Sequence, residues 1–579
     1  QRRERGGPVC DHVDPSLDEP APMRETRAGI PVDLERIVCK ALEKDRNRRY
    51  SSAREIAVDL RRLEGEVTGE ARSRIAPPAR LPRRALAAVS AIAFVIVSGY
   101  FGARARSPSA EAIDSLAVLP LQSLSPKPEG DYLADGMTEA LISGLAQIRS
   151  LKVISRTSVM QYKNTQKTLP QIGRELDVDV VIEGSVAQAA DRVRVTAQLI
   201  DARTDKHLWA KSYDRELRDV LRLQSEIART IADEVRVQLL PDERARLGRT
   251  RQIDPQAHDL YVRARYEWSK RGWEPMRASV DLLNRAIALE PAWPLTYAAL
   301  ADSYNLLANN GFIPASEGFP KAKAAARRAL ELDPDLGQAH AALAFVLWQH
   351  DLEWDAADRE FRRAIELQPS YASAHHFYAN YLATVGRDAE ALAEIRKALE
   401  LDPLSPRMRS NYGDILRSIG REPEGIAQLE AIRAIDPLQA LRSLVCAYVH
   451  QQKPAEAMKA AEEAAAMNHP SATVLHALAT ASARGKAALP LIHEVEREVA
   501  DTMNGQKALI LAAAYVVAGD HEQAWKSFER LEQFSTGHSQ FALREPLLEP
   551  LRKDRRYAAF LSKLKLRQAN ESRDRAAPD

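Results

Sequence analysis

The sequence predicts a mainly α-helical protein: a solenoid of helical repeats, a smaller α/β domain, one transmembrane helix and a short amino-terminal helical segment. Three observations support this fold class. A similar phrase, such as Ala-Leu-Glu-Leu-Asp-Pro, ends in proline five times, at intervals of 43, 35, 34 and 34 residues: Pro291, Pro334, Pro369, Pro403 and Pro437. Residues 115–240 alternate between strand-like and helix-like patterns. Residues 85–103 contain no charged side chain.

The composition of the chain excludes some functions. Its 579 residues are enough for several domains. The 82 Lys and Arg nearly balance the 80 Asp and Glu, whereas a nucleic-acid binder would concentrate basic charge on one face. Cys10, Cys39 and Cys446 lie far apart, so neither a metal site nor a disulfide framework is predicted. Because the chain begins with Gln1 and not with methionine, we interpret it as a fragment whose start lies upstream.

Residues 1–67 contain two predicted amphipathic helices. Their sequence includes the phrase Leu34-Glu-Arg-Ile-Val-Cys-Lys-Ala-Leu-Glu-Lys-Asp-Arg-Asn-Arg-Arg-Tyr50, and a helix with a Ser-Ala-x-Glu start follows it. This stretch resembles the end of the large lobe of bacterial serine/threonine protein kinases. The resemblance implies a structural role for Arg49, a buried ion pair with a glutamate that lies outside this chain. The bland alternative is a generic pair of amphipathic helices.

The catalytic parts of a kinase do not occur in the sequence. It has no Gly-rich loop, no Val-Ala-Ile-Lys, no His-Arg-Asp and no Asp-Phe-Gly, all of which phosphoryl transfer needs. We therefore predict no catalytic, cofactor-binding or metal-binding residues in this chain. ATP and Mg²⁺ are expected only for the missing kinase core. The adjacent pair His375 and His376 points in two directions on a helix, which argues against a metal site.

Residues 85–103 have the length and composition of a transmembrane helix. As a helix these 19 residues span about 28 Å, close to the roughly 30 Å of a bilayer core. Linkers are predicted on both sides, at 68–84 and 104–114. Five arginines precede the segment and two follow it, which predicts a cytoplasmic amino-terminal side. The expected localisation is therefore the bacterial inner membrane, crossed once, with residues 104–579 outside the cytoplasm.

Residues 115–240 are predicted to form an α/β domain. The block contains the phrases Ala117-Val-Leu-Pro-Leu, Tyr132-Leu-Ala-Asp-Gly-Met-Thr-Glu, Ile182-Glu-Gly-Ser-Val and Leu208-Trp-Ala-Lys-Ser-Tyr-Asp. They resemble the TolB-like module that bacteria place between a membrane anchor and helical repeats. The resemblance implies a non-catalytic module that accompanies kinases, adenylyl cyclases and transcription regulators.

Residues 253–535 are predicted to form the repeat solenoid. A period near 34 residues that ends in proline is the tetratricopeptide (TPR) signature. The phase is set by small residues where helices cross, with one large partner: Ala322, Ala329, Ala357, Phe361, Ala364, Ala391 and Ala398. Capping helices and a tail are predicted at 536–579.

The TPR resemblance implies a groove lined by the first helix of each repeat. The exposed groove positions are expected to include His376, Asn380, Asp414 and Arg417, which favour a protein or peptide partner. The leading hypothesis is a membrane-anchored signalling fragment of a serine/threonine kinase, with altered dimer geometry as one hypothesis for signal transfer. The alternatives are a kinase-free envelope scaffold and a membrane regulator that senses a small ligand in the α/β module.

Overall fold

The computed structural model describes residue 40 and residues 113–125, 128–189, 191–235, 239–248, 252–270, 272–533 and 543–566. The chain divides into two compact units, Gln1–Ser109 and Ala110–Asp579. Apart from Lys40, which is helical, the described residues belong to the second unit. The kinase-like segment with Arg49, the linker 68–84 and the segment 85–103 therefore lie outside the described residues.

The predicted fold class and localisation need a correction. In the part of the chain that the structure describes, no helix combines the length and the apolar character needed to cross a bilayer. The structure is a mainly helical, TPR-like solenoid with an α/β domain. A transmembrane helix and a single-pass inner-membrane localisation, which rested on residues 85–103, are not supported.

The α/β domain is built on one mixed sheet. Its strands are β1 (Ser115–Val118), β2 (Gln122–Ser123), β3 (Lys152–Val153), β4 (Val180–Ala189), β5 (Arg192–Asp201) and β6 (His207–Glu216). They lie in the order β3-β1-β4-β5-β6, with β2 beside β4. Pairs of β1 with β3 and β4 are parallel, and the β4-β5-β6 meander is antiparallel. Buried and exposed residues alternate along much of β5, as its sequence pattern predicts.

The sheet is covered by helices of the same domain. They are α1 (Pro128–Leu145), α2 (Arg156–Val159), α3 (Leu169–Leu176), α4 (Val220–Glu234) and α5 (Pro241–Gly248). Gly184 lies in β4, where a Cβ atom would come within 2.0 Å of the Thr196 carbonyl oxygen on β5. Only glycine fits between the two backbones at this point, and this explains the glycine inside an otherwise apolar strand.

Eight helical pairs follow within the described residues. In chain order the pairs are α6 (Pro255–Lys270) with α7 (Trp273–Leu289), α8 (Pro294–Asn309) with α9 (Ala315–Leu332), α10 (Gly337–Val346) with α11 (Trp354–Leu367), α12 (Ala372–Thr384) with α13 (Asp388–Leu401), α14 (Pro406–Ser418) with α15 (Glu422–Arg433), α16 (Pro437–His450) with α17 (Pro454–Ala466), α18 (Ala472–Arg484) with α19 (Leu489–Glu498), and α20 (Gly505–Ala518) with α21 (His521–Glu529). Two short helices end the described chain, α22 (Glu549–Arg552) and α23 (Arg556–Lys563).

The repeat period is visible in the turns between the pairs. The second helices α7, α9, α11 and α13 each end two residues before one of the regularly spaced prolines, Pro291, Pro334, Pro369 and Pro403. The seven small or large residues named for helix crossing are all fully buried. Six residues after each of the first four prolines, a side chain on the next helix donates to that proline's carbonyl oxygen: Tyr297, His340, His375 and Arg409. These bonds satisfy a turn carbonyl that has left the helix.

One part of the solenoid differs from its sequence pattern. The interval from Pro291 to Pro334 is nine residues longer than the 34-residue period, and the sequence suggests a loop at 309–320 for these extra residues. In the structure, α9 already begins at Ala315 and contains Pro320. Phe319 is fully buried and its ring lies 6.5 Å from that of Phe345. Burial of this ring stabilises an early helix start, which offsets the backbone hydrogen bond that Pro320, the sixth residue of α9, cannot donate.

The turns between pairs dock on the α/β domain. We call the turns at Pro291, Pro334, Pro369 and Pro403 the docked edge. Trp293 is 2% exposed and belongs to the hydrophobic core of the α/β domain, although it follows the first of these prolines. At the third turn, Ser370 Oγ donates to the Leu151 carbonyl oxygen (3.0 Å) and accepts from the Val153 amide (3.2 Å). Helix α1 also crosses α6 closely at Gly136, where a Cβ atom would lie 2.5 Å from Val262.

The last turn of the docked edge holds a buried acid. The Ser158 hydroxyl donates to Asp402 Oδ1 at 2.5 Å, and the Leu404 amide donates to the same hydroxyl oxygen at 3.0 Å. Burial raises the pKa of Asp402 to about 6, although hydrogen bonds from Ser158 and its neighbours oppose this shift. The α/β domain and the solenoid therefore share a polar interface whose hydrogen bonds are largely satisfied within the protein.

Candidate partner-binding site

The first helices of successive pairs form one continuous surface, which we call the first-helix face. Its central part consists of α12, α14 and α16. Ser405 caps α14 by accepting from the Met408 amide, and Pro406 occupies the first helical position, where proline is favoured. Asp414 and Arg417 are three residues apart on α14 and therefore lie on the same side of the helix.

The four predicted groove residues lie near this face but are not exposed, which corrects the expectation. His376, Asn380, Asp414 and Arg417 are 4%, 7%, 9% and 2% exposed. Adjacent repeats and a distant chain segment, described below, cover them. The Asn380 Nδ2 donates to His376 Nε2 at 3.3 Å. Burial is the main reason that the pKa of His376 is lowered to about 3, so this imidazole is a neutral core residue.

Asp414 and Arg417 belong to a buried charge network. Arg417 Nη1 lies 3.4 Å from Asp414 Oδ1, and Arg417 Nε lies 3.5 Å from Glu422 Oε1. Arg442 Nη2 donates to Asp414 Oδ2 at 2.9 Å. Burial alone would lower the pKa of Arg417, but Glu545 and Asp414 outweigh it and raise the pKa. The network therefore keeps two guanidinium groups charged inside the protein.

Residues 543–566, the carboxy-terminal segment, run over this network. Arg417 Nη2 donates to Glu545 Oε1 at 3.0 Å across 128 residues of sequence. Arg544 Nη2 donates to Asp388 Oδ1 at 2.7 Å, and Trp354 Nε1 donates to the Leu564 carbonyl oxygen at 3.0 Å. Six leucines of the segment pack into the solenoid core: Leu543, Leu547, Leu548, Leu551, Leu564 and Leu566. The segment also reaches the last pair, where the rings of Phe560 and Phe528 lie 4.7 Å apart.

A cavity remains beside the contact of Arg417 and Glu545. Its volume is about 40 Å³, and its walls include Asn380, Thr384, Arg417, Ser418, Leu509 and Glu545. Asn380 lies on α12 and Leu509 on α20, four pairs further along the row. Because both residues line one cavity, the row of helices curls and the first-helix face is concave. The site thus combines a basic group, a carboxylate and free space.

Sequence reasoning missed several residues of this site. The repeat pattern does not mark Arg442 or Glu545 as neighbours of Arg417. Arg442 lies in the next helical pair, and Glu545 lies beyond the last pair. Glu422 was missed as well, and it hydrogen-bonds His450 Nδ1 at 2.6 Å. This hydrogen bond raises the pKa of His450. The only available signal was the acidic residue within the apolar phrase Leu543-Arg-Glu-Pro-Leu-Leu548.

A second cavity lies where the α/β domain meets the first pair. Its volume is about 230 Å³, and it is lined partly by Leu133, Gln188, His258 and Arg263. Burial lowers the pKa of His258 to about 4, so its imidazole is neutral. In the described part of the chain, no group of three or more His, Cys, Asp or Glu side chains could hold a metal ion.

The fold and the concave first-helix face define a TPR-like solenoid protein. Residues 111–230 match the family model of the second domain of HilA/YgeH-like transcriptional regulators. The putative adenylate cyclase 3 of Rhizobium meliloti (strain 1021) is 36% identical over 252 residues, which cover 42% of this chain and 42% of that protein. The chain thus spans less than half of the length of this relative.

Two solved structures of TPR proteins are also similar to part of the chain. The thermophilic TPR protein TTC0263 of Thermus thermophilus shares 19% identity with a TM-score of 0.27, over 31% of this chain and 92% of that one. YrrB, a TPR protein with an unusual peptide-binding site, shares 21% identity with a TM-score of 0.23, over 32% of this chain and 91% of that one.

Proposed function

We propose that this chain is the binding part of a bacterial signalling protein and that its solenoid recognises a protein or peptide partner. One observation carries the proposal. The concave first-helix face already binds a segment of polypeptide from the same chain, and Arg417 contacts this segment at Glu545. A curved row of helical pairs is well suited to such binding because it offers a long surface without a reaction centre.

The α/β domain has a structural role in this proposal. It packs against four turns of the solenoid and would therefore move with the repeats as one body. The relatives support a regulatory role, since one is named a cyclase and the matching family model a transcriptional regulator. Modules of this kind would accompany different output domains. The phrase Leu34–Leu63 favours a serine/threonine kinase as the output here, with ATP-dependent phosphorylation belonging to that domain.

A display experiment tests partner binding directly. A library of random peptides is selected on the full chain, and selected peptides are titrated against variants that block the cavity, Thr384→Arg and Ser418→Arg. We expect micromolar binding to the parent chain and at least tenfold weaker binding to both variants, which a loss of about 1.4 kcal/mol would produce.

The matched control is Ala465→Arg, which adds the same charge at an exposed position of α17. This variant should bind the selected peptides as the parent chain does. Equal binding by all four chains, or a selection that enriches no peptide, would contradict a partner site on the concave face.

The second cavity favours a second candidate function, recognition of a small molecule. Its volume of about 230 Å³ lies just below the range of roughly 300 to 1,000 Å³ for drug-sized ligands, which favours a small metabolite, and Gln188 and Arg263 supply polar groups. The test is a thermal-shift screen of the full chain with a metabolite library. A ligand of this cavity should raise the Tm of the parent chain and lose its effect in the variant Gln188→Trp, which blocks the space.

A further inference from the structure

The carboxy-terminal segment of the chain occupies the concave face. The chemistry of this segment indicates which kind of ligand the site can bind. We propose that the Arg417 site recognises an acidic side chain of a partner polypeptide, which takes the place of Glu545. This inference rests on the proposed function of the solenoid and specifies its partner. The expected ligand is a polypeptide segment with an acidic residue followed by apolar residues.

Charge is the first argument for a carboxylate ligand. Arg417 is 2% exposed and cannot turn to solvent without moving its helix. Glu545 makes its shortest carboxylate contact, 3.0 Å, compared with 3.4 Å for Asp414 and 3.5 Å for Glu422. Asp414 is also shared with Arg442. A departing Glu545 would therefore leave a buried guanidinium poorly paired, which is costly unless another carboxylate arrives.

The residues next to Glu545 supply the second argument. Pro546 follows it, and the next two residues, Leu547 and Leu548, are buried among apolar side chains of the solenoid. Apolar burial contributes affinity, while the ion pair fixes the register of the segment on the helices. A partner with the same order of chemistry, acidic and then apolar, would meet the same contacts.

The third argument is that Glu545 leaves the site incompletely filled. A small cavity of about 40 Å³ adjoins its carboxylate. Asn380 Oδ1 is buried in the cavity wall and accepts no hydrogen bond from the residues that the structure describes. Within the same residues, the only contact of Arg417 Nε to a carboxylate is the 3.5 Å contact to Glu422. A longer or more polar partner segment could satisfy these atoms. The buried leucines hold the segment in the solenoid core, but at Glu545 the occupant leaves these polar atoms poorly paired, so a partner segment can compete for this position.

The experiment uses the full chain and a synthetic peptide. The probe is a fluorescently labelled peptide with the sequence of residues 543–552, Leu-Arg-Glu-Pro-Leu-Leu-Glu-Pro-Leu-Arg. Its binding is measured by fluorescence anisotropy to two variants of the full chain, Glu545→Gln and Glu549→Gln. Glu549 lies in the same segment but is exposed, so its variant is the matched control.

We expect the Glu545→Gln chain to bind the peptide roughly tenfold or more tightly than the Glu549→Gln chain, because the internal competitor has lost a charge-assisted hydrogen bond. A peptide that itself carries Glu545→Gln should bind the Glu545→Gln chain at least several-fold more weakly. Circular dichroism establishes that both chains are folded.

Equal affinities of the two chains, equal affinities of the two peptides, or no binding to either folded chain would overturn the inference. These outcomes would not contradict the proposed function, which the peptide library tests independently. Library peptides that still bind the parent chain and not the Thr384→Arg variant would show a partner site that does not select acidic residues.

Discussion

The solenoid carries two interfaces, and they are built differently. The docked edge joins it to the α/β domain mainly through short uncharged side chains and backbone groups, such as Ser370 with Leu151. The concave face joins it to the carboxy-terminal segment through charged groups, such as Arg417 with Glu545, and leaves a cavity. Hydrogen bonds between uncharged groups at the docked edge suit a permanent contact, whereas the ion pair at the concave face suits a contact that exchanges with another charged partner.

The largest expected effect comes from breaking the docked edge at Trp293. The substitution Trp293→Ala removes a ring that is 2% exposed and packs 4.9 Å from Tyr261. We expect it to lower the free energy of unfolding by about 3 to 5 kcal/mol. Urea denaturation followed by circular dichroism measures this change. Trp273→Ala is the control, because Trp273 is 38% exposed, and it should cost much less.

The next effect comes from removing the basic group of the concave face. Arg417→Met leaves the carboxylates of Asp414, Glu422 and Glu545 without their shared partner, at a cost of about 3 kcal/mol. The carboxy-terminal segment should then become sensitive to limited proteolysis, while the α/β domain stays protected. Arg421→Met, four residues away on a solvated ion pair, should leave both properties unchanged. Simultaneous loss of protection in both regions would show that the two interfaces are not independent.

The pH dependence of stability distinguishes the buried acid of the docked edge. Because the pKa of Asp402 is raised in the folded state to about 6, its contribution is fully present below the unfolded pKa and is lost as pH rises through 6. Relative to Asp402→Asn, the parent chain should lose about 2 to 3 kcal/mol between pH 4 and pH 7. His258 and His376 act in the opposite direction, so only the difference between the two chains is informative. Parallel stability profiles would contradict this role.

The smallest effect is expected at the rim of the concave face. Arg544 is 24% exposed at its side chain and pairs with Asp388, which is 41% exposed. Solvent screens such a pair, so Arg544→Ala should change the free energy of unfolding by less than about 1 kcal/mol. A much larger loss in urea denaturation would mean that the rim of the site is as tightly built as Arg417.

Local patterns predicted much of the fold. The proline interval predicted where α7, α9, α11 and α13 end, because a helix cannot continue easily into proline and the interval equals one pair. Alternation along Arg192–Ile200 predicted β5, because side chains of a strand point to opposite faces. Both signals depend on residues that are close in sequence.

The candidate site could be predicted only in part. The TPR resemblance pointed to Asp414 and Arg417, because it places the first helix of each repeat at the groove. It did not predict their burial, which depends on a segment 128 residues away. The sequence position of Trp293 places it in the repeat region, but its side chain packs in the core of the α/β domain. Contacts between distant parts of the chain leave no periodic pattern, and one sequence alone does not reveal them.

The bonds to the proline carbonyl oxygens have a consequence for how such repeats diverge. A phenol, two imidazoles and a guanidinium make the same contact, at Tyr297, His340, His375 and Arg409. Selection could preserve the length of the side chain and its hydrogen-bond donor at this position, and not a particular amino acid. Comparisons scored by residue identity would therefore treat this position as variable, although its structural task is constant across four successive turns.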